Sequence, residues 1–164
     1  MTIFVTVSEV SKVDEWEYWY SETYNMISLQ RVLSDLPRAT LQGAYSLIID
    51  VDASRIVSYF ETVGSAEITY WAVVPALEIP KTEWGRVVVA QDIDDGQPQA
   101  YFTNLDYSVF YTRFGEPVVT IKLRHIAIGK QVIVDVTQDG MVVGVWMLNL
   151  PPEIGQKHAG WGNA

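Results

Sequence analysis

The chain has 164 residues, no cysteine and a formal net charge of −9 at pH 7, and it is long enough to bury a core without disulfides. The missing cysteine excludes a disulfide framework, a thiolate zinc site and a cysteine nucleophile. The acidic charge argues against nucleic-acid binding and favours a basic protein partner. No apolar stretch approaches the roughly 18 residues of a membrane helix. Because residues 1–10 also lack the pattern of a secretory leader, we expect a cytoplasmic protein without a membrane segment.

The N-terminal region mixes two periodicities. Residues 2–7 are β-branched and aromatic, which predicts a strand. Residues 11–26 fit a helix and a strand equally well, because their apolar positions keep a helical spacing while aromatic and acidic residues also alternate. Residues 28–36 carry apolar side chains at i, i+3, i+4 and i+7 before Pro37, which predicts a helix.

After Gly43 the period changes to two. Residues 45–51 and 56–60 alternate on either side of Asp52-Ala53-Ser54, which predicts a β-hairpin. Residues 67–74 continue the alternation as another strand, and residues 76–83 contain two prolines and little pattern. We expect this last segment to be a long crossing loop or a subdomain boundary.

The remaining strands are separated by turn residues. Residues 86–91 and 99–103 flank Asp94-Asp95-Gly96, which predicts a second hairpin. Gly115-Glu116-Pro117 and Gln138-Asp139-Gly140 mark two further turns. Four more strands are predicted at residues 107–113, 118–124, 132–136 and 141–148.

These elements predict a mainly β protein whose antiparallel sheet forms a barrel or a sandwich, with one or two short N-terminal helices. An α+β fold is the alternative. We expect residues 1–150 to make a single β-rich domain and residues 151–164 to be a loosely ordered tail.

His125 is the histidine of the patterned region, and the period of two places it on the inward face of its strand. It is a candidate general base. A core or rim histidine satisfied by one hydrogen bond is the favoured interpretation, since no nucleophile motif or acidic partner stands nearby in sequence.

An acidic and aromatic segment is the candidate protein-binding surface. It comprises Glu15, Trp16, Glu17, Tyr18, Trp19 and Tyr20. Buried aromatic side chains beside carboxylates suit an interface with a basic partner. A half-buried helix with one solvated face explains the same residues equally well.

Two charged clusters have simpler explanations than ligand binding. Residues 92–96 resemble the start of a calcium loop but lack its downstream glutamate, so we predict no metal and no cofactor. Lys122, Arg124 and Lys130 form the one basic run, which could hold an anionic ligand. Solvent-facing strand residues explain that run more simply.

The aromatic residues support a rival hypothesis, a small β-barrel that encloses an apolar molecule, as a lipocalin-like binder or a cyclase without metal or nucleophile does. The candidate lining residues are Tyr45, Tyr59, Tyr70, Trp71, Trp84, Tyr111 and Trp146, with His125 as the polar group. The alternative is that these side chains fill an ordinary core.

The aromatic strand 107–111, the strand 132–136, the turn 138–140 and the closing strand 142–148 are similar to those of the YuzE-like bacterial domain of unknown function. The resemblance covers residues 101–150 and is followed residue by residue over 132–148. It implies a compact antiparallel module without a known catalytic centre, some relatives of which lie beside toxins as antitoxins.

Taken together, the sequence favours a non-enzymatic protein-binding module of antitoxin, immunity or anti-defence type. The β-barrel binder is the alternative. Self-assembly through exposed sheet edges is a third hypothesis.

Overall fold

The computed structural model describes residues 2–32, 39–41, 47–63, 70–93, 99–115 and 122–161. These residues form thirteen strands and one helix. The elements are β1 (Thr2–Glu9), β2 (Trp16–Ser21), β3 (Met26–Arg31), β4 (Ala39–Leu41), β5 (Leu47–Val51), β6 (Val57–Val63), β7 (Tyr70–Val73), β8 (Glu83–Ile93), β9 (Gln99–Thr103), β10 (Phe110–Phe114), β11 (Arg124–Ala127), β12 (Val132–Val136), β13 (Val142–Met147) and α1 (Pro152–Trp161).

The strands form two sheets. The large sheet has eight strands in the order β1-β8-β11-β12-β13-β10-β9-β7 and is curled into a half-barrel. The small sheet has five strands in the order β2-β3-β6-β5-β4. All pairs are antiparallel except β8 with β11 and β7 with β9, which are parallel. The predicted mainly β, antiparallel architecture is therefore confirmed.

Local pairings follow the sequence pattern closely. The hairpin around Asp52-Ala53-Ser54 is present as β5 and β6, and β12 and β13 are joined through the predicted turn at residues 138–140. Strand β12 has the predicted bounds, Val132–Val136. Residues 76–82 link β7 at one edge of the large sheet to β8 near the other edge, as a crossing loop must.

Two local predictions are wrong. The helix predicted over residues 28–36 is contradicted by β3, which occupies Met26–Arg31; residues 33–36 lie outside the described part of the chain. Residues 94–96 lie outside the described part of the chain, but the hairpin pairing predicted for the strands on either side is wrong: β8 pairs with β1 and β11, and β9 pairs with β10 and β7. The ambiguous region 11–26 contains the strand β2.

One apolar core lies between the two sheets. The large sheet contributes Val87, Val134 and Val145, and the small sheet contributes Ile49 and Phe60. The void left between these side chains is about 10 Å³, which is barely the volume that one water molecule needs. Between the described residues of the two sheets the core is therefore filled.

Trp16 joins the sheets at one end. Its side chain is 4% exposed and packs against Phe60 with a ring separation of 5.8 Å. The indole Nε1 donates to the carbonyl oxygen of Ile128 at 3.1 Å. A Cβ atom at Gly129 would lie 2.3 Å from the indole, so this turn of the large sheet needs glycine to admit the ring.

The C-terminal tail is ordered over most of its length, which corrects the expectation of a loose terminus. Helix α1 places His158 in a buried position, where its Nδ1 lies 3.0 Å from the carbonyl oxygen of Asn25. Asn25 returns a hydrogen bond from Nδ2 to the carbonyl oxygen of His158 at 3.0 Å. The helix is thereby fastened to the turn between β2 and β3.

The described residues include no helix with the length and apolar character needed to cross a bilayer.

Candidate functional site: a buried carboxylate and an adjoining groove

Asp135 is a carboxylate inside an apolar strand. All five residues of β12 are buried, and the alternation of the strand divides them between two faces of the large sheet. Val132, Val134 and Val136 belong to the core between the sheets. Ile133 and Asp135 lie on the opposite surface, which we call the outer face.

Three side chains satisfy this carboxylate. Strand register sets His125 of β11 directly opposite Asp135, and its Nδ1 lies 2.6 Å from Oδ1. The indole Nε1 of Trp146 donates to Oδ2 at 2.9 Å, and the hydroxyl of Tyr111 also bonds to the carboxylate. Burial raises the pKa of Asp135, and these hydrogen bonds offset part of that effect.

An aromatic ladder surrounds the carboxylate. Tyr111 stacks on Trp146 with ring centroids 4.4 Å apart, and Phe102 stacks on Tyr111 at 6.0 Å. A Cβ atom at Gly144 would lie 2.4 Å from the Tyr111 ring, so glycine there makes room for the stack. Burial, with the negative charge of Asp135 adding to it, raises the pKa of Tyr111, which stays a neutral donor.

The chemistry available to this cluster is orientation of an imidazole. A buried carboxylate that accepts from Nδ1 fixes the ring of His125 and leaves Nε2 for a proton or a ligand. The His125 side chain is 28% exposed, so part of the ring is accessible to solvent. The predicted inward position of His125 is wrong, because strand register places it opposite Asp135 on the outer face. Its hydrogen-bonded partner is a carboxylate from the neighbouring strand.

A groove of about 790 Å³ runs beside this cluster. It lies between the start of β2, the crossing segment 76–82 and the turn between β11 and β12. Its apolar wall includes three exposed side chains, Val32 at 45%, Ile79 at 50% and Trp84 at 54%. Exposed large apolar side chains gathered around one concavity are a feature of interaction sites.

The rim of the groove is charged. Asp14 is held by Arg31 at 3.5 Å and by Arg86 at 3.8 Å, which neutralises it in part. Glu15 and Glu17 are exposed carboxylates on the same rim, and Lys130 faces them from the turn of the large sheet.

Arg31 is fixed from below by the buried Asp52, whose Oδ2 lies 2.6 Å from Nη2. Burial alone would raise the pKa of Asp52. The hydrogen bonds from Arg31 and from the backbone N–H groups of Ile56 and Ser54 outweigh burial, so the pKa is lowered. The Arg31 side chain at the groove rim is therefore held in place by the buried, ionised carboxylate of Asp52.

The structure divides the predicted protein-binding segment. Trp16, Tyr18 and Tyr20 pack against the core, where Tyr20 donates to Oδ1 of Asn25 at 2.9 Å. The intervening residues, Glu17 and the 63% exposed Trp19, face outwards on β2, an edge strand of the small sheet. Of the exposed residues in this segment, Glu15 and Glu17 line the groove, whereas Trp19 lies outside its lining.

The predicted ligand-lining residues do not surround one cavity in the described part of the chain. Tyr111 and Trp146 stack on the outer face, Trp84 lies in the groove, and Tyr59 bonds to Ser28 at 3.0 Å on the small sheet. Tyr45, and the side chains of Tyr70 and Trp71, lie outside the described residues.

Two features were missed by sequence reasoning. The contact of Asp135 with His125 depends on strand register, which local sequence does not show. An acidic residue inside the apolar run Val132-Ile133-Val134-Asp135-Val136 is nevertheless unusual and could have indicated a buried carboxylate. The groove depends on the crossing segment, whose path no local pattern reveals.

No protein-family model matches this chain, and neither does any curated protein. The resemblance of residues 101–150 to the YuzE-like domain stays a prediction.

Proposed function

We propose that this protein is a non-enzymatic binding module of antitoxin, immunity or anti-defence type, and that it holds a basic partner protein in the groove beside β2. The observation that carries the proposal is the groove itself, which joins exposed apolar side chains to a charged rim that includes Asp14, Glu15 and Glu17. Its volume of about 790 Å³ accommodates inserted side chains of a partner.

Charge favours a basic partner. The chain carries 20 acidic and 11 basic residues, so its long-range field attracts a positively charged protein. Toxins that act on nucleic acids present such basic surfaces to their substrates. Electrostatic attraction would mainly speed association, while apolar side chains seated against Ile79 and Trp84 would slow dissociation.

The filled core supports this function over the enclosed-ligand hypothesis. A binder of the β-barrel type needs a cavity of about 300 Å³ or more between its sheets. The void there is about 10 Å³. No observation among the described residues favours the ligand hypothesis.

Peptide display tests the proposal without a known partner. A library of random peptides is selected on the wild-type protein at low salt and counter-selected on the groove variant Ile79→Asp. We expect the enriched peptides to combine lysine or arginine with a large apolar residue. Their Kd should rise at least tenfold in Ile79→Asp, and their association rate should fall as salt increases.

The matched control is Leu105→Asp, since Leu105 is 68% exposed and lies outside the groove lining. Peptides that bind Leu105→Asp as they bind wild type, but not Ile79→Asp, support the groove as the site. Enrichment of acidic peptides, or equal affinity of the peptides for Ile79→Asp and Leu105→Asp, would contradict the proposal.

A further inference from the structure

A second concavity opens beside His125 and adjoins the groove at Thr82, which lines both. It has a volume of about 400 Å³, and its lining includes Lys81, Lys122 and Arg124 together with His125. Three of the eleven basic residues of a chain with net charge −9 are therefore collected in one small pocket.

Parallel strand pairing brings these residues together. Strands β8 and β11 are paired in parallel through Ile126 with Glu83 and Ala127 with Trp84. Parallel strands begin at the same edge of a sheet, so the residue Lys81 before β8 lies near Lys122 before β11.

The three basic side chains of the pocket differ in whether they already form an ion pair with a carboxylate. Arg124 forms an ion pair with Glu83, the one carboxylate among the pocket-lining residues. Lys81 and Lys122 make no ion pair with any residue that the structure describes. The pocket thus has two ammonium groups to offer to an anion.

His125 adds a directional donor. Its Nδ1 is engaged by the buried Asp135 at 2.6 Å, which fixes the plane of the ring. The other ring nitrogen, Nε2, makes no hydrogen bond within the described residues, and it can donate to an anion when it carries a hydrogen.

We propose that this pocket binds a small oxyanion of the phosphate type, held between the ammonium groups of Lys81 and Lys122 and the Nε2–H of His125. A tetrahedral oxyanion presents oxygens in several directions and can accept from three donors that converge from two strands. The buried Asp135 has a positioning role, since it reaches the anion through His125 and not directly.

The two histidines of the chain supply the assay. The probe is inorganic phosphate, added at constant ionic strength, and the readout is the imidazole ¹⁵N and ¹H shifts of His125. His158 is buried in α1 and serves as an internal reference that should not move. We expect a saturable shift of His125 alone, with a Kd in the millimolar range.

Substitutions inside and outside the pocket test whether phosphate binds there. The double variant Lys81→Ala/Lys122→Ala should raise the Kd at least tenfold, whereas Lys130→Ala, an exposed lysine outside this pocket, should bind as wild type. A shift that never saturates, that sodium chloride reproduces, or that survives in the double variant would overturn the proposal.

A second probe tests whether the site prefers inorganic phosphate or a phosphorylated small molecule. Glycerol phosphate carries a phosphate group on an organic body. Binding of inorganic phosphate and glycerol phosphate with similar Kd supports a site for the anion itself, and tighter binding of glycerol phosphate supports a site for a phosphorylated small molecule. If neither probe binds, the proposal fails while the groove hypothesis is unaffected.

Discussion

On the inner face of the large sheet, β12 contributes Val134 to the apolar core between the sheets. On the outer face the next residue of the same strand is Asp135, equally inaccessible to solvent but held by His125, Trp146 and Tyr111. The inner face is stabilised by the burial of apolar area, which is non-directional. The outer face is stabilised by directional hydrogen bonds to a charge.

The comparison teaches that burial alone does not identify a core residue. Two adjacent side chains with the same low exposure, 2% for both Val134 and Asp135, occupy environments of opposite chemistry. The partners decide which role each one has. Each face should therefore respond differently to the same kind of substitution.

The strongest test places a charge on the inner face. Val134→Asp buries a carboxylate beside a small space whose described lining residues are all apolar, and an unpaired buried charge costs about 5 kcal/mol. We expect unfolding, or a loss of that size in the free energy of unfolding measured with urea. Thr6→Asp, on an exposed position of β1, is the control and should change it by less than about 0.5 kcal/mol. A stable Val134→Asp protein would remove the distinction between the faces.

The next test removes the charge from the outer face. Asp135→Ala leaves the indole N–H of Trp146 and the Nδ1 of His125 without their acceptor, at a cost of about 3 kcal/mol in the free energy of unfolding. Trp146→Phe deletes one donor and leaves the carboxylate with two, so it should cost only about 1 kcal/mol through hydrogen bonding, besides any loss of packing. Equal stability of Asp135→Ala and wild type would show that the network adds nothing to the fold.

The buried His158 extends the comparison to the pH dependence of stability. Burial lowers the pKa of His158 from 6.5 to about 4, despite its hydrogen bond to Asn25. Because the unfolded chain binds this proton first, stability is complete above pH 6.5 and is lost as pH falls from 6.5 towards 4. The loss from this group is about 3 kcal/mol. Urea titrations at pH 7 and pH 4 should differ by that much more in wild type than in His158→Gln, and an identical difference in both proteins would contradict the prediction.

The smallest effect concerns the fit of the aromatic ladder. Gly144→Ala would place a methyl group 2.4 Å from the Tyr111 ring, which must then leave its stack on Trp146. Overpacking of this kind costs about 2 kcal/mol. Tyr111→Leu frees the space, so the double variant Gly144→Ala/Tyr111→Leu should be more stable than the sum of the single effects implies. Strict additivity of the two substitutions would exclude the contact.

Local pattern predicted most of the short-range structure. The alternation in β12 and the turns at residues 52–54 and 138–140 determine pairings between strands that are neighbours in sequence. The helical spacing of residues 28–36 was misleading because Leu29 satisfies both periods. In the folded chain Ile27, Leu29 and Arg31 alternate inwards from β3, and the packing of the sheet overrides the local preference.

Long-range structure could not be predicted for a physical reason. The Asp-Gly turn signal at residues 94–96 suggested that β8 and β9 pair, but β8 finds a better-matched edge in β1 and β11. Such pairings depend on the shape of whole sheets, which no window of sequence contains. For the same reason the sequence indicated His125 but not Asp135 as its partner, and it indicated the acidic, aromatic segment and the crossing loop but not the groove between them.

Strand β1 has consequences for how the chain folds during synthesis. Its partners are β8 and the turn at residues 140–141, where the N–H of Val5 donates to the carbonyl oxygen of Gly140 at 2.8 Å. At roughly 5 to 20 residues per second, β1 leaves the ribosome several seconds before β8 and longer still before that turn. During that interval its apolar residues Ile3 and Val5 have neither of their final neighbours. Until β8 has been synthesised, these two apolar side chains are therefore open to contacts with other chains.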